Sequence, residues 1–394
     1  MNMEGKAGRG VCAPRGFRAG AVSCGIKRGG ALDLCLFQAE VPCVAAGTFT
    51  RNAFKAAPVV VTMEHLAREG TLQAVVANSG MANAWTGDRG REDARTMAEE
   101  AGRLLGIPPQ RVAVASTGTI GTFLPMDKVL NGLRSVIPRL SEGGGEEAAR
   151  AIMTTDSFPK LGEWDYGDFW VGGMAKGAGM IHPDMATMLA FITTDAEVDG
   201  RSLDRALKTA VENTFNRITV DGCTSTNDMV LALASGLSGY RPKPGELEEA
   251  LHEACRHLSR LIVRDGEGAT RLMRVRVEGA RDDREAKEVA FAVAGSLLVK
   301  TALFGGDPNW GRIVQAVGAA LPDASEEGTE VSVGDTVLAR DGLPAGYDEK
   351  EAREAFSREE VEVTVRLSRG GGTAEVVTCD IGYEYIRINS EYRT

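Results

Sequence analysis

Short valine-rich runs and helix-period apolar stripes alternate along this 394-residue chain, and that alternation limits the fold more than any other feature. "LQAVVAN" (72–78) and "RVAVAS" (111–116) read as buried strands, and "APVVVT" (57–62) reads the same way. Between them, "REDARTMAEEAGRLLGIPP" places Ala94, Met97, Ala98, Ala101, Leu104 and Leu105 at helical spacing, with Gly106 and Pro108 as the stop. "RSLDRALKTAVENT" and "GELEEALHEACRHLSRLIV" are helices by the same test. "RLMRVRVEG" (271–279) and "VEVTVRLSRG" (361–370) alternate apolar with polar residues, the mark of half-buried strands in an antiparallel or mixed sheet. Residues 141–148, 322–328, 341–350 and 369–372 carry loop composition. The class expected is α+β: mixed sheets layered with helices, an αββα-like sandwich.

Composition narrows the function. With 43% apolar and 25% charged residues the chain is globular. A net charge of −10, with no basic block beyond the extreme N-terminus, argues against nucleic acid or an anionic membrane as partner. The longest apolar run, Val289 to Val299, is far short of a membrane span and reads as a core strand or helix. The basic N-terminus lacks a signal-peptide apolar region and reads as a mobile arm or a first strand. Seven cysteines, an odd number with no CxxC, fit a reduced cytoplasmic protein better than a disulfide scaffold or zinc site. The four histidines show no metal-ligand spacing, and His252 and His257 fit a solvated helix face.

Familiar nucleophile machinery is missing. There is no GxSxG elbow, no P-loop, and no histidine in a suggestive context. A threonine can dispense with histidine if it stands at a chain N-terminus, because its own α-amine then serves as base. That amine, with an ordinary pKa of about 7.7–8, suits proton transfer near neutrality. Thr187, in "MATML" after a glycine-rich lead-in, would gain such an amine if the Ala186–Thr187 bond were cut. Alone, a threonine in an apolar run is more often a β-branched strand residue, and the residues themselves leave both readings open.

A wider resemblance bears on that choice. "KGAGMIHPDMATMLAFITTDA", together with "GIKRGGALDLCLF", "AAGTFTRNAFKAAPVVV", "VANSGMANAWTG", "VASTGTIG", "AIMTTDSFPK", "VDGCTSTNDMV", "RDGEGATR", "KTALFGGDPNWGRI" and "YEYIRINSEYRT", resembles the glutamate N-acetyltransferase / ornithine acetyltransferase family of arginine biosynthesis. The match runs from about residue 19 to 394, in the family's order. It implies a self-processing precursor cut between Ala186 and Thr187, giving an α chain (1–186) and a β chain (187–394) that remain associated as a dimer of heterodimers. It implies ping-pong transfer of acetyl from N2-acetyl-L-ornithine to L-glutamate through an acetyl ester on Thr187; some members also take acetyl-CoA as donor. No cofactor and no metal are implied.

By the same resemblance Thr117 and Gly118 form the oxyanion hole. Thr154, Lys176, Thr187, Glu267, Asn389 and Thr394 contact substrate, Lys176 suiting a carboxylate and Glu267 an ammonium. Thr155 is one position from Thr154, and spacing does not separate them. Three residues depart from the family pattern: Cys223 stands where an acid is expected, Met81 replaces an asparagine, and Trp85 a smaller residue. Two other readings remain: an N-terminal-nucleophile aminopeptidase or amidase that releases its acyl group to water, and a binding protein with a dead site.

Overall fold

The computed structural model describes residues 8–182 and 188–391. The first half runs β1 (Phe17–Val22), β2 (Leu34–Phe49), α1 (Ala57–Glu69), β3 (Thr71–Met81), α2 (Gly87–Leu105), β4 (Val112–Thr119), α3 (Met126–Val136), α4 (Gly145–Ala151), β5 (Lys160–Asp165) and β6 (Trp170–Lys176). It continues with β7 (Leu189–Thr194), α5 (Gly200–Glu212), β8 (Ile218–Thr219), β9 (Met229–Ala234), α6 (Glu246–Arg264) and β10 (Leu272–Ala280). The remainder is α7 (Asp283–Gly295), α8 (Leu297–Gly305), α9 (Trp310–Ala320), β11 (Glu330–Val333), β12 (Thr336–Arg340), β13 (Leu343–Pro344), α10 (Glu349–Phe356), β14 (Glu360–Arg366), β15 (Gly372–Cys379) and α11 (Tyr383–Glu391).

The strands make two mixed sheets, as the α+β reading requires. The first has the order β4-β3-β2-β9-β7-β6-β5, with β1 also on β2. The long β2 serves two halves: Leu34–Gln38 pairs with β1 and β3, and Val44–Phe49 with β9. Alternate residues point inward from both halves, among them Phe37, Val75, Phe191 and Leu231, into one shared core. The other faces are covered by α2 and α3 over Leu34, Leu36 and Val76, and by α5 and α6 over Ile192, Val230 and Ala232. This is the helix–sheet–sheet–helix layering expected.

The second sheet has the order β13-β12-β11-β14-β10-β15-β8. β10 is parallel to β14 and antiparallel to β15. Val275 and Val277 are buried under α7 while Arg276 is exposed, so the alternation read from the sequence is real burial. The apolar run 289–299 is helical, shared by α7 and α8. No single helix among the described residues is long and apolar enough to cross a membrane.

Several expectations fail locally. "APVVVT" is the start of helix α1, not a strand. Pro58 sits in the first turn, where its missing N–H costs nothing, and Gly70 closes the helix in the left-handed region at φ 62°. These end signals, with the helix-forming segment between them, override the β preference of three valines. The expected loop 141–148 turns helical at Gly145. The N-terminal segment supplies a short 3-10 turn, Gly10–Cys12, and then β1. His257 is only partly solvated, since its ring meets the edge of Trp164 at 5.5 Å.

Candidate active site

One cavity gathers residues from segments far apart in the chain. Thr117, Gly118, Thr154, Thr155, Lys176, Glu267 and Asn389 all line it. Ala186, Thr187 and Thr394 lie outside the described residues.

Thr117 and Gly118 close β4 where its pairing with β3 is irregular: Met81 opposes both Thr117 and Thr119. Gly118 has φ +127°, and a Cβ there would lie 2.3 Å from the Gly80 carbonyl carbon. Only glycine fits that conformation and that approach.

Lys176 ends β6 and is 2% exposed. Its Nζ donates to Thr154 Oγ1 at 2.8 Å and to Thr117 Oγ1 at 3.3 Å. Burial pushes its pKa down, while Asp156 works against that shift. The lysine thus joins the strand-exit turn to the segment after α4. It touches Thr154 directly, whereas Thr155 shares only the cavity wall.

Glu267, nearly buried, accepts from Asn389 Nδ2 at 2.6 Å, so α11 closes one side of the cavity. The Glu267 N–H donates to Ala178 O at 3.0 Å, which ties the acid to the segment just after β6. Gly179 passes so close that a Cβ would meet the Glu267 carboxylate at 2.5 Å.

Sequence reasoning missed the charges behind this wall. Asp156 accepts from Gly177 N at 2.7 Å, Thr154 N at 2.9 Å and Lys160 Nζ at 2.6 Å. Lys160 also reaches Asp265 at 2.5 Å, two residues before Glu267. Both members of the Lys160–Asp156 pair have fully buried side chains. Burial opposes the charge on Asp156, but Lys176, Lys160 and the Gly177 N–H hold its carboxyl well below the usual range. Lys27 donates to Met153 O at 2.6 Å and so fixes the segment that presents Thr154. An i,i+4 Asp–Lys spacing resembles a helix surface pair, and here it lies in a loop and a strand start. Nothing local signals its burial.

Asp221 anchors the lead-in to residues 183–187. Its carboxylate accepts from Met180 N at 2.6 Å, Ile181 N at 3.0 Å and Cys223 N at 3.1 Å, and from Tyr385 Oη at 3.3 Å. Beyond the segment, Asp228 Oδ1 accepts from Met188 N at 2.8 Å. Cys223, one of the family departures, is exposed on the cavity rim. Met81 packs against the core under α2 and α3. Trp85 lies outside the cavity, 70% exposed and edge-on to Phe54 at 4.9 Å. Among the described residues no group of three or more His, Cys, Asp or Glu side chains is placed to hold a metal.

Comparison with known proteins gives this site its setting. A relative from Symbiobacterium thermophilum, named arginine biosynthesis bifunctional protein ArgJ, is 48% identical over 404 residues and covers 100% of both chains. A Geobacter sulfurreducens protein of the same name is 46% identical over 96% of this chain and 99% of its own. A solved Mycobacterium tuberculosis chain, described as ornithine acetyltransferase complexed with ornithine, is 50% identical over 44% of this chain and 94% of its own, with a TM-score of 0.43. The protein is accordingly an acetyltransferase of arginine biosynthesis. Residues 18–394 match the ArgJ family, and the chain belongs to it.

Proposed function

We propose that the chain cuts itself between Ala186 and Thr187 and then transfers acetyl from N2-acetyl-L-ornithine to L-glutamate. The hydroxyl of Thr187 attacks the donor's acetyl carbonyl, ornithine leaves, and the acetyl ester is taken by the amine of glutamate. The observation that carries the reading is the opposed pair of charges in one cavity. Lys176, held by Thr154 and Thr117, suits the α-carboxylate that donor and acceptor share. Glu267, oriented by Asn389, suits the side-chain ammonium of the ornithine donor. Gly118 N–H and Thr117 Oγ1 are the donors for the tetrahedral oxygen. The ornithine bound to the M. tuberculosis relative supports the donor assignment.

A cut at 186–187 divides the first sheet between fragments. The pairings β2–β9 and β6–β7 would hold the α and β chains together. We assign the protein to the cytoplasm, where its seven unpaired thiols stay reduced, with two such α–β pairs per assembly. The word bifunctional in the relatives' names supports acetyl-CoA as a second donor.

Intact-mass analysis of the purified protein, followed by product analysis with acetylornithine and saturating glutamate, tests both steps. Two fragments ending and starting at 186 and 187, and acetylglutamate as main product, are expected. A single stable species of about 42 kDa would refute self-cleavage. Acetate as the main product would favour an N-terminal-nucleophile hydrolase instead.

A further inference from the structure

The carboxyl of Asp228 has a role that the reading above does not use. The residue is fully buried, immediately before β9. Its position is fixed on several sides. The Thr50 N–H donates to its backbone carbonyl at 3.0 Å, and its neighbour Asn227 donates to Ala82 O and Ser116 O at 2.7 and 2.8 Å. These bonds fix the backbone that carries the side chain. Oδ1 accepts from the Met188 N–H at 2.8 Å, and Oδ2, equally buried, has no hydrogen-bond partner among the described residues.

An ionised carboxylate accepts on both oxygens and is stable when buried only if both are satisfied. One bond on one oxygen does not meet that need. Among the described residues Lys176 on β6 is the one charged group that acts on Asp228; it favours the ionised form, but its ammonium donates to Thr154 and Thr117 rather than to Asp228. The neighbouring side chains of β7 and β9, Leu189, Ala190, Met229 and Val230, are apolar. A protonated carboxyl lowers the cost: it has no charge to desolvate, and its carbonyl oxygen accepts from the Met188 N–H. Burial raises the carboxyl's pKa well above the ordinary value, in the same direction.

Met188 follows Thr187 in sequence, so the amide that Asp228 holds belongs to the peptide bond between those residues. We propose that Asp228 is a positioning residue for the chemistry at Thr187, acting as a neutral carboxylic acid that clamps the amide directly after the nucleophile. The proposal rests on Thr187 being the self-cleaving nucleophile.

The test compares full-length wild type, D228A and D228N as freshly made precursors. Self-cleavage is followed by intact mass, acetyl transfer by product formation, and folding by circular dichroism and Tm. D228A frees the Met188 amide and should slow self-cleavage about 100-fold, the usual scale for an ångström of misplacement. D228N keeps a neutral group of the same shape whose carbonyl oxygen can still accept from the Met188 N–H, and should recover at least about tenfold of that loss. The infrared carbonyl stretch of a protonated acid should be present in wild type near neutral pH and missing from D228N. Should D228A fail to fold, D228N and the infrared band decide alone. D228A cutting at the wild-type rate, a folded D228N as slow as D228A, or a wild-type protein without the band would each overturn the proposal. A wild-type chain that never cuts refutes the self-cleavage reading itself, and the proposal falls with it.

Discussion

Replacing Gly118 by alanine should separate the oxyanion-hole assignment from a simple turn. A Cβ at 118 would stand 2.3 Å from Gly80 C and 2.6 Å from both Gly80 O and Met81 N, all backbone atoms that no rotamer change can move. Relieving the clash requires β3 and β4 to part by about 1 Å at this point, and φ +127° is a conformation essentially confined to glycine. The strain should cost about 2–5 kcal/mol of stability, combining backbone and overpacking effects. If Gly118 N–H is the proposed oxyanion donor, the same shift would move it out of place, and losing one such donor lowers kcat by ~10²–10³. Gly121→Ala is the control. Gly121 also has positive φ, at 78°, but nothing lies within 4 Å of its Cβ position. It should lose only about 1–2 kcal/mol of stability and leave kcat for acetyl transfer near wild type. Thermal unfolding by circular dichroism and steady-state kinetics measure the two effects. A G118A enzyme with wild-type kcat, or a G121A enzyme impaired as badly as G118A, would refute the assignment.

Lys176→Met removes the charge-assisted donor to Thr154 at similar side-chain volume; kcat/KM for acetylornithine should fall about 10- to 100-fold, and an unchanged value would remove Lys176 from substrate binding. Deleting residues 389–394 removes the Asn389 bond to Glu267 and should reduce transfer to background while the remaining chain keeps its circular dichroism; normal activity in the truncated protein would exclude the C-terminus from the site. Glu285 is held down to about 2, foremost by its bond from Arg369 at 2.9 Å and also by Arg281. Its folded pKa lies below the unfolded value, so its stabilisation is complete above about pH 4.5 and is lost as pH falls towards 2. Glu285→Gln should therefore lower Tm at pH 7, with the gap to wild type closing below pH 4.5; a gap independent of pH would contradict the ion-pair account.

Much of the framework is readable because local pattern and final burial agree. Ala94, Met97, Ala98 and Ala101 are the buried stripe of α2, and Val275 and Val277 the buried face of β10. Helix α1 escaped because valines at 59–61 carry more weight in a strand reading than Pro58 and Gly70 carry as helix ends, although a proline inside the run already argued against a central strand. The site is another matter. Thr117, Lys176, Glu267 and Asn389 lie on four separate segments, and no periodicity foretells that they meet. They could be named together only through resemblance to a family. The Lys160–Asp156–Asp265 cluster was invisible even so, because a buried charge is recognisable only from the partners that surround it.

The division of one sheet between residues on either side of 186–187 has a consequence for the life of the molecule. Before a cut, β6–β7 and β2–β9 form within one chain, and folding is a first-order process. After it, the same ladders join two molecules with no tether, so reassembly becomes second order and depends on concentration. Each separated fragment would also carry bare strand edges, β6 and β2 on one and β7 and β9 on the other, that invite mispairing. If the proposed cut is made, the native state would be one that only the precursor reaches easily; its durability would be set by how slowly it opens, and dilution after denaturation would erase a structure that a single chain had built.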